Sequence, residues 1–586
     1  MLDLRIYRAA LLPVLLALIV VAFSLEDRPE PLRTAIPAEA FDGARALRVA
    51  EALQRTFPQR RTGSAQDARL ATIIEGQLRL AMPGVPVVRS AAEAHTIDGD
   101  RRLVTVRAQV PGSSSAAPLV VVAARDTEGR GGVAQLTGTA AMIELARIVA
   151  AARPRRSVIF ASVSGSTGGQ GGMRALLAAV PRPLDAVIEL GDMGGPVADR
   201  PLVVPWSSTS GTAPQRLQRT VALALRREAR ITSPTPRATS QIARMAWPVT
   251  LAGQGVALAD GVPAVRVSAT GELPPSPTAP VAAERVERFG RTILRSLTAL
   301  QEGPRISGVP ARQVIFQKRV IPSWALRLLA FALLLPALLT ALDALARLRR
   351  RGGDILPWLA WTLSFAAPLA LAVLFARVLG LVGVVPATAP PPLPSAAPLD
   401  GAAWAALACT AVVLALGFLV LRPLLGRRLV RTQPPQAAGA ALAPAIIACL
   451  GGLLACVLNP SAALLLVLPA NLWLIRAAGG RRPGPRLGVL VVLVSLVPAL
   501  LVAISLAAQL TLGPGDFAWF GFLVLAGGQG GILASLGWSV IGGAAIAAAV
   551  VAWRATGPKD RAITVRGPAS YAGPGSLGGT DSAMRR

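Results

Sequence analysis

Two apolar rhythms divide this chain. Between residues 26 and 322, short apolar runs alternate with longer stretches whose apolar positions recur at helical spacing. The short runs, rich in Val, Ile and Leu and bounded by Gly, Pro or Ser, predict strands at 103–110, 119–124, 157–163, 186–190 and 264–268. The longer stretches predict helices at 44–56, 65–81, 138–146 and 281–301. The turn Pro58 to Ser64 is placed to cap the second of them. Strands and helices alternating in one region of this length predict an α/β domain with a mixed, mainly parallel sheet covered by helices on both faces.

Beyond residue 322 the rhythm changes. Apolar runs of about 20 residues, the length of a helix that crosses a bilayer, lie at 324–346, 357–379, 402–422, 441–458, 461–475, 487–510 and 532–553. A shorter run, 9–23, precedes the α/β region. The expected layout is a cytoplasmic N-terminus (1–8), a signal-anchor helix (9–23), an extracytoplasmic domain (26–322), an α-helical polytopic membrane domain of about seven helices (324–553) and a disordered cytoplasmic tail (554–586). The residues after the first run, Ser24-Leu25-Glu26-Asp27-Arg28-Pro29, offer no small-x-small cleavage site, which favours an anchor over a cleaved signal peptide. Residues 517–525 are read either as a re-entrant piece or as a ninth span.

Charge fixes the expected orientation. Arg5 and Arg8 precede the first run and Glu26 and Asp27 follow it, while Arg347, Arg349, Arg350, Arg351, Arg427, Arg428, Arg431, Arg476, Arg481, Arg482 and Arg486 flank alternate later runs. The positive-inside rule places those loops in the cytoplasm and the α/β region outside, in a multi-pass plasma-membrane protein. The arginine-free 386–400 is a Pro-rich linker expected to be extended and exposed on the outer side. Within the runs, Asp343 and Arg377 fall near interfaces, Asn471 reads as helix-packing glue, and no run carries a row of carboxylates for an ion-coupled carrier.

The formal net charge is +29, and only Lys318 and Lys559 among the basic residues are lysines. Without aromatic residues interleaved in a basic groove, this charge does not imply nucleic-acid binding. The three cysteines, Cys409, Cys449 and Cys456, all lie in apolar runs and read as small core residues, so neither a disulfide framework nor a thiolate metal site is implied.

Candidate chemistry concentrates in residues 118–172. One strand ends in Ala124-Arg125-Asp126-Thr127 and leads through a glycine-containing loop into a helix. The next ends in Ser164-Gly165-Ser166-Thr167-Gly168-Gly169-Gln170-Gly171-Gly172. This order places the loops at the carboxyl ends of neighbouring parallel strands, where α/β enzymes carry their sites. Together with Arg61, Gly63 and Ser64 ahead of a helix, Thr137-Gly138 opening the next, and Asp192-Met193 after 186–190, these segments resemble the M28 zinc aminopeptidase family over roughly residues 41–300. The layout of one span, a domain and a bundle also resembles the M28-like subunit of the glycosylphosphatidylinositol transamidase.

The resemblance implies a set of site positions. The family's first histidine ligand falls on Ala124 and its supporting aspartate on Asp126. The bridging aspartate falls on Ala134, the general-base glutamate on Ser166 and the adjacent ligand glutamate on Thr167. A later aspartate ligand matches Asp192, and the last histidine falls within 271–279, which contains none. The chain has one histidine, His95, expected in a solvated loop. A co-catalytic zinc pair needs several imidazole and carboxylate ligands plus a carboxylate base; Asp126 and Asp192 are remnants at most. Asp126 is left to cap the loop that follows it. Ser164, Ser166 and Thr167 are candidate ligand-binding residues, through hydroxyls and backbone N–H groups. None has a histidine or lysine nearby to make it a nucleophile.

The sequence therefore points to a catalytically inactive, M28-peptidase-like integral membrane protein, a binding or scaffold subunit of an envelope complex. It needs no cofactor, contacts the lipid bilayer, and engages a protein partner or peptide ligand through its outer domain. Two rivals stay open: an active membrane-bound M28-type metallopeptidase, which would need zinc, and a component of a transport or export system.

Overall fold

The computed structural model describes residues 4–35, 38, 40–306, 311–429, 438–477 and 484–553. The expected tail, 554–586, and the arginines at 431, 481 and 482 lie outside the described residues. Helix α1 (Leu4–Phe23) leads through strand β1 (Glu26–Asp27) to α2 (Gly43–Thr56) and α3 (Ala65–Ala81). Asp42 caps α2 by accepting from Arg45 N (2.8 Å), and Ser64 caps α3 by accepting from Asp67 N (3.2 Å), as the turn before it predicts. A hairpin follows, β2 (Val87–Thr96) and β3 (Gly99–Val110), then β4 (Leu119–Ala124), α4 (Thr137–Ala152), β5 (Val158–Val163), α5 (Gly171–Ala179) and β6 (Ala186–Leu190). The α/β region closes with β7 (Val203–Val204), α6 (Gln215–Glu228), α7 (Ala238–Ala246), α8 (Gly253–Ala259), β8 (Ala264–Val267) and α9 (Ala283–Glu302).

Seven of these strands form one sheet in the order β2-β3-β5-β4-β6-β8-β7. The pairings β5–β4, β4–β6 and β6–β8 are parallel; β2–β3, β3–β5 and β8–β7 are antiparallel. The sheet is therefore evenly mixed, where mainly parallel pairing was expected. The difference comes from two edge strands that were not expected: β2, whose half-exposed pattern Ala-Glu-Ala-His lacks a continuous apolar signal, and the two-residue β7. His95 accordingly belongs to β2 and not to a loop; its Nδ1 lies 2.8 Å from Asp100 Oδ1 across the hairpin. Every residue of β5 and β6 is buried, so both sheet faces are covered. The chain moves one way from β4 to β5 and the other way from β5 to β6. Right-handed crossovers thus put α4 and α5 on opposite faces. The carboxyl ends of β4 and β5 mark the reversal, the usual place for a site in such sheets.

Two short strands, β9 (Val314–Phe316) and β10 (Arg319–Ile321), join β1 in a second sheet, order β1-β10-β9. This sheet brings the end of α1 beside the start of α10 (Ser323–Arg350), and the two helices pack together. Arg5 and Arg8 therefore share one end with Arg347 and Arg349 to Arg351, away from the α/β region. The remaining helices are α11 (Leu356–Leu363), α12 (Ala366–Leu381), α13 (Gly401–Leu416), α14 (Arg422–Leu429), α15 (Ala438–Leu458), α16 (Pro460–Ala477), α17 (Pro485–Ser495), α18 (Val497–Leu510), α19 (Pro514–Gly527) and α20 (Ile532–Trp553).

Among the described residues, seven helical stretches are long and apolar enough to cross a membrane: Arg5–Phe23, Val133–Ala152, Ser323–Arg350, Leu356–Leu381, Gly401–Leu425, Gly439–Leu458 and Ile532–Trp553. The second contains α4 and is buried in the α/β core, so its hydropathy reflects packing. Helices α17 and α18 pass the same test as a pair bent by 43°. Residues 517–525 fall inside α19, a helix of 14 residues, short of the length that spans a bilayer.

Polar groups in this bundle are held locally. Asp343 and Arg347 pair at 2.6 Å. Arg377 donates to Ala526 O (2.6 Å) at the end of α19, and Asn471 accepts from Tyr7 and donates to Leu333 O and Val467 O, tying α1, α10 and α16. Cys449 and Cys456 are buried as expected, whereas Cys409 is exposed on α13.

Candidate ligand cavity

The floor is built from the β4 end. Arg125 is fully buried and its guanidinium lies 2.8 Å from Asp67 Oδ1, with Nη2 donating to Val104 O (2.6 Å) and Nη1 to Ser162 O (3.2 Å). Arg60, also fully buried, donates through Nε to Arg125 O (2.8 Å) and through Nη1 to Gln54 and Phe57 O. Burial pulls the Arg60 pKa down to about 10, with Asp126 and Asp67 opposing the fall. These two arginines fix the loop after β4, and the next residue, Asp126, faces the cavity above.

Asp126 Oδ2 accepts from Thr62 Oγ1 (2.6 Å) and from Ser166 N (2.8 Å), and Thr62 Oγ1 lies 3.0 Å from Thr167 Oγ1. The aspartate therefore pins the loop after β5, not the loop following itself, because the parallel neighbour brings Ser166 N within reach. Asp192, just after β6, instead caps its own loop: its Oδ1 accepts from Gly194 N (3.0 Å) and Gly195 N (2.8 Å). Burial pushes its carboxyl pKa up, and the Gly194 and Gly195 N–H groups pull the other way. Asp126 Oδ1 and Asp192 Oδ2 are buried without a hydrogen-bond partner.

Above this floor lies a cavity of about 1100 Å³. Of the residues singled out in the sequence, Ala124, Asp126, Ser166, Thr167 and Asp192 line it together. Ala134 is fully buried behind it, and its neighbour Gln135 reaches the cavity instead. Ser164 is also excluded: it is 1% exposed beneath the loop, so only Ser166 and Thr167 of the three hydroxyl residues present themselves. Three of the loop's N–H groups are occupied. Ser166 N donates to Asp126, Gly172 N to Ser164 O and Gly169 N to Pro390 O.

The remaining walls were not legible as site residues. The β2–β3 turn at Ile97 and Asp98 forms one side, where Arg61 pairs with Asp98 at 2.5 Å. Glu272 and the prolines 274, 275 and 277 form another, in the stretch where the family's last histidine would stand. Glu128 lines the cavity too; burial and the nearby Asp126 push its carboxyl up to about 7, with Arg61 opposing.

The roof is the segment expected to be an exposed linker. Residues 383–400 fold over the cavity, with Val385, Thr388 and Ala397 buried. Pro390 O accepts from Gly169 N (2.9 Å), Ala389 O from Arg174 Nη2 (2.8 Å) and Ala397 O from Trp519 Nε1 (2.6 Å). The sequence signal for this contact was the glycine density opposite it. A Cβ on Gly168 would lie 2.7 Å from Thr388 Oγ1 and 2.9 Å from Ile97, so a bare backbone is needed for the roof to close.

This donor set does not fit a zinc pair. At the implied ligand positions Ala124 and Ala134 offer methyl groups, and Thr167 offers a hydroxyl 3.0 Å from that of Thr62. Among the described residues no group of three or more His, Cys, Asp or Glu is arranged to hold a metal ion. Two separated carboxylates without nitrogen or thiolate ligands do not select zinc.

No family model matches the chain, and no curated protein matches it. Solved structures are similar to it at a distance. A glutaminyl cyclase of an Acidobacteriales bacterium is 15% identical, covering 47% of this chain and 97% of its own, with a TM-score of 0.35. The LapA aminopeptidase of Legionella pneumophila is 14% identical over 45% of this chain and 74% of its own, TM-score 0.36. LapB from the same organism is 16% identical over 48% and 79%, TM-score 0.37. At these identities and scores no activity carries over to this chain.

Proposed function

We propose that this chain is an integral membrane protein whose outer α/β domain is an M28-peptidase-like module converted to metal-free ligand binding. One observation carries the reading: a large cavity persists at the carboxyl ends of β4, β5 and β6, while its implied ligand and base positions read Ala124, Ala134, Ser166 and Thr167. A water-activating site needs a metal or a base in reach of the nucleophile. At the implied base position Ser166 offers a hydroxyl in place of a carboxylate, and its backbone N–H is engaged by Asp126.

The bundle anchors this module. Arginines gather at the far ends of α1 and α10, which favours a cytoplasmic location for those ends and an outer one for the cavity. The bundle also supplies the roof, so anchor and binding site form one unit, suited to holding a peptide or protein partner at the membrane surface.

A photo-crosslinking amino acid at Thr167 in the full-length chain, irradiated in native membranes, tests this reading. The expected result is a reproducible adduct that is lost when Ser166→Trp places a ring in the cavity. A chain recovered without adduct from positions 167 and 395 alike would count against a binding role.

A further inference from the structure

One wall of the cavity continues into the apolar helices as an unbroken chain of polar contacts. Gln170, buried in the loop after β5, donates through Nε2 to Ser166 O (3.0 Å) and to Leu251 O (2.6 Å). Leu251 N donates to Glu272 Oε1 (2.7 Å), and Glu272 Oε2 lies 2.9 Å from Arg244 Nη2. Arg244, 4% exposed on α7, stands over the Trp206 ring and donates through Nε to Gln509 Oε1 (2.9 Å). Gln509 belongs to the last turn of α18, and Ala243 of α7 packs with Val502 and Leu506 of the same helix.

The charged link is one that resists parting. Arg244 and Glu272 are both buried, so separating them leaves an uncompensated charge, and the arginine follows its carboxylate when the wall moves. The helix at the end of the chain is one that can respond. Helices α17 and α18 meet at Leu496 with a bend of 43°, and a break in the main-chain ladder is where a helix changes angle at low cost.

We infer that the chain transmits occupancy of the cavity to its apolar bundle: a ligand that displaces Leu251 and Glu272 moves α18 relative to α17 through Arg244 and Gln509. This rests on the cavity being a ligand site. It adds an activity to that reading, signalling across the bundle, for which simple scaffolding has no need.

A test needs no identified ligand. In a full-length chain carrying Cys409→Ser, Cys449→Ala and Cys456→Ala, Ser166→Cys places a thiol on the cavity wall, and a bulky maleimide serves as the occupant. Hydrogen exchange by mass spectrometry then reads amides 497–510, with α6, which does not line the cavity, as an internal control. Labelling should change exchange in 497–510 by about fivefold or more, the scale of ordinary coupling between sites, and leave α6 unchanged. Gln509→Leu, which leaves the cavity wall intact, should abolish the response. Labelling without a change in 497–510, or an equal change in the Gln509→Leu chain, overturns the coupling while the cavity reading stands. Failure of the thiol to react overturns the cavity reading itself, and the inference with it.

Discussion

Arg125→Met is the most informative perturbation of the floor. Arg125 and Asp67 are 0% and 1% exposed and lie 2.8 Å apart. Methionine keeps much of the side-chain volume and removes the charge, the ion pair and the donors to Ser162 O and Val104 O. Leaving one partner of such a pair buried and unpaired costs about 3–5 kcal/mol, which for a domain of this size lowers the apparent Tm by about 10 °C. The pH dependence separates lost charge pairing from lost packing. Burial already holds the Asp67 carboxyl above its usual range, with Arg125 opposing; without Arg125 it rises further. A carboxyl whose folded pKa exceeds its unfolded value contributes stability at low pH and loses it as pH rises through the folded pKa. The Arg125→Met chain should therefore recover stability as pH falls from 8 toward 5, and Asp67→Asn in the same chain should restore most of it at pH 8. The assay is tryptophan-monitored thermal unfolding of the detergent-solubilised full chain at fixed scan rate. A Tm loss that is independent of pH, or that Asp67→Asn does not relieve, would refute the reasoning.

Other outcomes follow from the same contacts. Gly168→Val places a side chain against Thr388 and Ile97, so proteolysis within 383–400 should accelerate severalfold while the α/β core stays resistant; an unchanged digestion pattern would contradict the roof. Glu128, with its carboxyl pushed up to about 7, should make the wild-type chain lose about 1–2 kcal/mol between pH 5 and pH 8 after discounting for its partial exposure. Glu128→Gln should remove that slope, read as Tm at the two pH values. In a cysteine-free chain, thiols introduced by Ser115→Cys and Gly352→Cys should react with an impermeant maleimide from opposite sides of the membrane; labelling from one side would refute the orientation.

The fold was largely legible because its strongest signals are local. The apolar runs at β4, β5 and β6 are buried on both faces, so neither strand nor helix period obscured them. The edge strand β2 was not legible, since its outward face is polar and its pairing to β3 is a tertiary fact. Of the site, Ala124, Asp126, Ser166, Thr167 and Asp192 could be placed because they follow predicted strands directly, and parallel pairing aligns strand ends. The burial of Ser164 was not legible, because only the folded loop turns it beneath the floor, 1% exposed and out of the cavity lining. The roof was misread for a different reason. Proline, alanine and serine in 386–400 look like a linker to any local rule, and only the distant contacts of Gly169, Arg174 and Trp519 fold them down. Arg244 and Glu272 illustrate the same limit: 28 positions apart in sequence, they become a pair only through burial against Trp206 and Leu251.

The central claim is that the cavity survives without metal chemistry. Zinc content and aminopeptidase turnover of the purified full-length protein, before and after incubation with added zinc, test it most directly. Substoichiometric zinc at every stage and no turnover above a heat-inactivated control are expected. One or two zinc ions retained per chain, with hydrolysis that a chelator abolishes and added metal restores, would contradict it.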